Sequence, residues 1–285
     1  MNMQLMLGVA VACYFLSLFF ICFYREKLNI RFFNGLFIIV DMILFFLWNL
    51  AYAENGWLKD GFMTLENISP FVFTIIPLTV FMNKKTKEYA YSAIAFLHLG
   101  LFLATLISPE YEVIFGNRTE ATFAFAAEAM CHVLAALFGL YLLLTKQVKA
   151  DFEHWGKAII FLLGWISFGI FLNITLDTRC FGLNPNNYSI YMLDIFGTFK
   201  ATVMAYYFGV ILVLTIGMQS GYGLCKMVDK IKAQYHAHKN VKEHFDEINK
   251  AEILTLKTRN YNSEDASVTP ATDREQNSQE QISSS

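Results

Sequence analysis

The sequence predicts an all-α, polytopic membrane bundle of about seven transmembrane helices, and three observations carry that reading. Hydrophobic residues make up 55% of the 285 residues and charged residues only 16%, whereas soluble domains carry about 25% charged residues. The charge is also segregated: residues 219–285 hold 9 of the 22 basic and 10 of the 24 acidic residues. Finally, seven apolar stretches approach the ~20 residues that a helix needs to cross a ~30 Å hydrocarbon core. A net charge of -2 offers no basic surplus for nucleic acid, and the apolar content excludes a disordered chain. The expected partners are membrane lipids, not nucleic acid.

In chain order the stretches are 5–24, 31–53, 67–83, 89–108, 121–145, 156–175 and 192–218. Their apolar runs are continuous rather than alternating, which favours helices over barrel strands. The first has no basic residue ahead of it and ends in Arg25-Glu26-Lys27 without a small-residue cleavage site, so it reads as a span and not a secretory signal. One set of alternate loops carries Arg25, Lys27, Arg31, Lys84, Lys85, Lys87, Lys146, Lys149 and Lys157, and the other set Lys59, Arg118 and Arg179. Nine basic residues against three place the N-terminus outside and the C-terminus in the cytoplasm. The absence of a transit-type presequence points to the plasma membrane.

Residues 1–218 thus form the transmembrane domain, 219–258 a cytoplasmic amphipathic helical extension, and 259–285 a disordered polar tail. Ser220-Gly221-Tyr222-Gly223 is expected to end the last span, since Gly serves as a helix C-cap. Beyond it Leu224, Val228, Ile231, Tyr235, Val241, Phe245 and Ile248 recur near helical spacing among lysines, as in a helix lying on an anionic leaflet. His236, His238 and His244 lack the Cys or carboxylate pattern of a metal site. The five Cys form no CxxC pair, and no Gly-rich phosphate loop occurs, so no metal or cofactor is expected. Asn67, Asn117, Asn173 and Asn187 open glycosylation sequons that carry little weight in a chain this rich in Asn.

Ionisable residues at membrane depth are costly and are functional candidates by default. The spans contain Asp41, His98, Glu128, His132, Asp194 and Lys200. Counted from the outer end at 1.5 Å per residue, Asp194 lies about 3 Å in, Lys200 about 12 Å and Asp41 about 18 Å, with Asn173, Asn49 and Thr74 at similar depths. All six lie between the outer surface and just past the midplane, which predicts a polar cavity open to the outer side. Glu128 and His132 are four apart and share a helix face. A hydroxyl or thiol nucleophile needs a base within reach. Thr74 and Cys131 are the candidates, although a Thr in a membrane helix commonly bonds its own i−4 carbonyl and Cys131 points about 100° away from His132.

Three patches carry a family resemblance. The third span reads Ser69-Pro70-Phe71-Val72-Phe73-Thr74-Ile75-Ile76-Pro77, the fifth Glu128-Ala129-Met130-Cys131-His132-Val133-Leu134-Ala135-Ala136-Leu137, and the seventh opens Met192-Leu193-Asp194-Ile195-Phe196-Gly197. Together, over roughly residues 30–215, these resemble the YwaF-like family of integral membrane proteins. That family carries Pro-x-His-x-Cys-Asp on the third span, a His before a small-apolar run on the fifth, and Asp-x-x-Gly at the start of the last. Its animal member is regarded as a phospholipid acyltransferase with a Cys nucleophile and a His. The resemblance therefore implies acyl transfer or acyl-ester hydrolysis on a membrane lipid. His132 matches the family His, while Val72, Thr74 and Ile75 stand where the family has His, Cys and Asp. Thr74 in the Cys position implies a threonine-based enzyme, as in the androgen-induced-gene hydrolases, a loss of activity, or a fold turned to another use.

Two readings follow. In the first, Thr74 attacks an acyl ester, His132 is the general base oriented by Glu128, and Lys200, near Asp194, steadies a phosphate or the oxyanion. In the second, Glu128, His132, Asp41 and Lys200 form a proton- or ligand-coupling site of a transporter or receptor. A microbial-rhodopsin reading fails: Asp194 and Lys200 are six apart where that family has four, and the third span lacks its Arg and carboxylates.

Overall fold

The computed structural model describes residues 3–54, 68–116, 123–178, 180–183 and 198–265. These form α1 (Met3–Tyr24), α2 (Ile30–Glu54), α3 (Ile68–Leu78), α4 (Lys84–Gly116), α5 (Phe123–Leu144), α6 (Phe152–Leu176) and α7 (Phe199–Asp265), with a 3-10 turn, Cys180–Gly182, after α6. There is no strand among the described residues. Six of the helices, all but α3, are long and apolar enough to cross a membrane.

The departure from seven full spans lies in α3. Its 11 residues rise about 16 Å, half the hydrocarbon core. The apolar run continues past Leu78, but the backbone does not follow it as a helix. Val80 N–H donates to Pro77 and Phe81 N–H to Leu78, both i→i−3 bonds, and the Thr79 hydroxyl takes the Ile76 carbonyl. Asn83 then starts α4 by accepting the Thr86 N–H at 2.9 Å, an N-cap. Polar side chains that serve backbone groups, not hydrophobicity, set this boundary.

Helix α5 is the centre of the bundle and packs against α1, α2, α3 and α4. Cys131, Ala135, Ala136, Phe138, Tyr141 and Leu142 on it are fully buried, as expected of a helix that is apolar all round. Close helix approach depends on glycines. A Cβ on Gly139 would stand 2.6 Å from the Ile94 carbonyl oxygen, and one on Gly217 would stand 1.8 Å from that of Phe96. Small residues of this kind let membrane helices pack backbone to backbone. Helix α7 also joins α6 through Trp155 Nε1–H to Thr215 Oγ1 at 3.2 Å and through Ser167 to Tyr207 at 2.8 Å.

Side-chain bonds collect several loop-flanking residues at one end of the bundle. Asn34 on α2 donates to Gln147 after α5 at 2.9 Å, and the Tyr141 hydroxyl reaches the Ile30 carbonyl at 3.4 Å. Lys157 on α6 reaches Glu88 on α4 at 2.5 Å. The three lysine- and arginine-rich loops of the sequence therefore share one end.

Two compact units divide the chain, Met1–Val228 and Asp229–Ser285. Helix α7 runs unbroken through residues 220–223, where the sequence predicts a C-cap. Gly221 serves packing instead, since its Cβ would lie 2.7 Å from Leu143 Cδ1. In the second unit the helix continues to Asp265, past the expected start of a disordered tail at 259, and Ile231, Tyr235, Val241, Phe245 and Ile248 are exposed. Residues 266–285 lie outside the described residues.

Candidate intramembrane site

The site is built on α5. Glu128 is half-buried, and Cys131 and His132 are buried. The His132 Nδ1 stands 2.9 Å from the Glu128 backbone oxygen. A carbonyl only accepts, so Nδ1 carries the hydrogen, and in the neutral ring Nε2 is left with its lone pair. Nε2 makes no hydrogen bond among the described residues. Phe73 of α3 stands edge-on to the imidazole, with centroids 5.2 Å apart at 88°. The ring is thus held by one hydrogen bond and one aromatic contact, with one nitrogen unused. It is Glu128's backbone carbonyl that orients His132.

From α2, Asp41 adds a carboxyl group that is fully buried and whose two oxygens have no hydrogen-bond partner among the described residues. Asp41 and Glu128 both lie within electrostatic reach of Cys131. Asp41, Phe73, Glu128, Cys131 and His132 therefore belong to one region where α2, α3 and α5 meet.

Other expected site residues are used differently. The Thr74 hydroxyl donates to the Pro70 carbonyl at 2.9 Å, four residues back on its own helix. The Asn49 amide likewise donates to Phe45 at 2.7 Å. Asn173 was expected to line the cavity, but it is buried and staples the end of α6. Its amide donates to the Cys180 carbonyl at 2.8 Å, and its oxygen accepts the Cys180 N–H at 2.7 Å and the Thr178 hydroxyl at 2.8 Å. Its sequon is therefore spent on structure. Lys200 was expected about 12 Å inside the last span. Lys200 is exposed in the first turn of α7, which Thr198 caps by accepting the Ala201 N–H at 3.2 Å. Asp194 lies outside the described residues. His98 has both ring nitrogens engaged, Nδ1 with the Ala95 carbonyl at 2.7 Å and Nε2 with Ser220 Oγ of α7 at 3.2 Å. It is a clamp between helices.

Sequence reading missed a polar cluster at the lysine-rich end of α4 and α6. Asp151 caps α6 by accepting the His154 N–H at 2.9 Å and also meets His154 Nδ1 at 2.7 Å. His154 Nε2 lies 3.6 Å from Glu88, and Lys157 bridges Glu88 and Glu153 at 2.5 and 2.6 Å. Burial alone would raise the Asp151 carboxyl, but the backbone N–H and imidazole of His154 together hold it below the ordinary carboxylate range. The local half was legible as an N-cap followed by an i,i+4 pair. Glu88, 69 residues from Lys157, was not. Among the described residues, no three His, Cys, Asp or Glu side chains gather as a metal site.

Compared with known proteins, the chain matches no family model, no curated protein and no solved structure.

Proposed function

We propose that this multi-pass membrane protein acts on acyl esters of membrane lipids, with His132 as general base. One observation carries the reading: His132 is buried, fixed through Nδ1 by the Glu128 carbonyl, and keeps Nε2 unbonded among the described residues. A base needs that arrangement, because a neutral imidazole held in one tautomer can take a proton at a set place. The resemblance to YwaF-like proteins supports the same chemistry and the role of Thr74. Phe73, the residue before Thr74, touches His132; because adjacent helix residues point about 100° apart, the proposal requires α3 to turn so that the Thr74 hydroxyl comes to the ring.

In the proposed reaction the Thr74 hydroxyl leaves the Pro70 carbonyl and attacks the ester carbon while its proton passes to His132 Nε2. The lysolipid alkoxide leaves with that proton. An acceptor hydroxyl or water, deprotonated by the same nitrogen, then takes the acyl group and restores Thr74. Lys200, exposed at the start of α7, would hold the headgroup phosphate. In this reading the lysine-rich end faces the cytoplasm and the site opens toward the other face of a plasma membrane.

The test is acyl transfer in nanodiscs from isotope-labelled phospholipid to a lysophospholipid, read by mass spectrometry. His132→Ala should lower turnover by about 10²-fold or more, the usual worth of a general base. Loss in Thr74→Val as well assigns the nucleophile, and activity that survives Thr74→Val keeps His132 but gives the attack to water. A folded protein with no turnover across several headgroups rejects the enzyme.

The unpartnered oxygens of Asp41 favour a second reading, a proton-coupled binding or transport site, because a buried carboxyl without a partner is costly to keep. Proton uptake into proteoliposomes that disappears in Asp41→Asn would establish it. Equal uptake in wild type and variant would dismiss it.

A further inference from the structure

We propose that α4 and α6 form a groove that binds one anionic phospholipid from the leaflet at the lysine-rich end of the bundle. The groove has a volume of 520 Å³ and is lined by Lys85, Thr86 and Tyr89 of α4 and by an apolar wall on α6 running from Ile160 to Phe168. The site is distinct from His132 and does not depend on the chemistry proposed there.

The polar groups of the groove lie at one end. Lys85 and Thr86 are exposed and Tyr89 is half-buried, all within the first two turns of α4. The Lys85 ammonium, Thr86 hydroxyl and Tyr89 phenol make no hydrogen bond or ion pair among the described residues. Three unused donors thus face one place. The nearby carboxylate of Glu88 is already engaged by Lys157 and His154 and also lies within electrostatic reach of Lys84. The mouth therefore suits a phosphate on a headgroup with net negative charge. A zwitterionic headgroup would bring its own cation into the same field.

Below the mouth the groove is apolar and long. Helices α4 and α6 both start at this end, as the Glu88–Lys157 bond requires. Going from residue 160 to 168 on α6 covers about 12 Å along the axis, close to the ~15 Å hydrocarbon depth of one leaflet. Trp165 is in ring contact with Phe71, Phe161 and Phe168, centroids 5.4, 6.5 and 5.8 Å away, so the wall is a continuous aromatic surface. Gly164 opens the floor, since a Cβ there would meet nothing within 4 Å. Donors at the interface above an apolar channel one leaflet deep match a phospholipid with one acyl chain laid along α6. A water-soluble anion would leave that channel empty.

The experiment is native mass spectrometry of the full-length protein, released from detergent with phosphatidylglycerol or phosphatidylcholine of identical acyl chains. The wild type should retain one phosphatidylglycerol at about fivefold or more over phosphatidylcholine, the factor that one lysine contributes at an anionic surface. Lys85→Ala, at an exposed position, should erase that preference. Gly164→Leu, which fills the open floor, should reduce retention of both lipids. Equal retention of the two lipids by wild type overturns the proposal, as does an undiminished preference in Lys85→Ala. If Gly164→Leu lowers the melting temperature, Lys85→Ala alone decides.

Discussion

Two equally buried histidines, His98 and His132, differ in their hydrogen bonding. His98 uses both ring nitrogens and ties α4 to α7, whereas His132 uses one. Removing a partner from a buried polar group costs about 1–3 kcal/mol. His98→Ala should therefore destabilise the bundle by about 1 kcal/mol more than His132→Ala, measured as thermal unfolding in detergent. The reverse order would mean that His132 is the structural residue. Thr74→Val removes only a bond to its own helix and should leave the melting temperature nearly unchanged, so any loss of turnover in it reports chemistry. Asp151 gives the pH dependence. Its carboxyl is lowered in the folded state, so its stabilisation is present above the unfolded value near 3.9 and is lost as the pH falls through the lower folded value. Asp151→Asn should flatten that acid limb below about pH 4. The effect should be small, because the side chain is 42% exposed and solvent screens it. An acid limb identical to wild type would show that another group controls it.

At the scale of elements, helix approach is decided by where a Cβ is missing. Gly217 meets the Phe96 backbone, while Gly209 on the same helix has open space around it. Gly217→Ala must push α7 away from α4 and should cost at least 1–3 kcal/mol, the usual penalty of overpacking. Gly209→Ala should be neutral or stabilising, since Ala is the better helix former. Equal melting temperatures for the two variants would mean that α4 and α7 can separate without loss. Asn173 plays the comparable role at the end of α6, where three hydrogen bonds converge on one amide. Asn173→Ala takes the acceptor from the Cys180 N–H, while the Cys180 carbonyl keeps the Leu183 N–H, and should loosen the 3-10 turn, seen as faster exchange of the Cys180 amide.

For the whole molecule, the testable features are the end to which the basic loops belong and the separateness of the second unit. Lys84, Lys85 and Lys87, with Lys157 nearby, cluster at one end with Asn34 and Gln147. A cysteine placed at position 85 in a Cys-free background should react with an impermeant thiol reagent in inside-out vesicles and stay silent in intact cells. Labelling of intact cells would invert the proposed orientation. The first unit ends at Val228 and has its own buried core, so ending the chain after Lys232 should shift its melting temperature by no more than a few degrees.

The order of apolar and charged residues along the sequence determined that this is a helical chain built to cross a membrane, because long apolar runs must satisfy their own backbone and only helices do so within one segment. It also marked His132, Glu128 and Asp41, since an ionisable group in an apolar run is visible without coordinates. Tertiary structure decided the rest. Hydropathy could not show that 67–83 contains a helix of only 11 residues, because turn bonds and the Asn83 cap end it while the sequence stays apolar. Spacing could not tell the satisfied His98 from the half-used His132, because the difference is a hydroxyl on Ser220, 122 residues away. Glu88 with Lys157, and Lys85 with Trp165, become neighbours only when α4 and α6 pack. Burial depends on a chain's local chemistry and can be read along it, whereas which polar group meets which is set by helix packing between residues far apart in sequence.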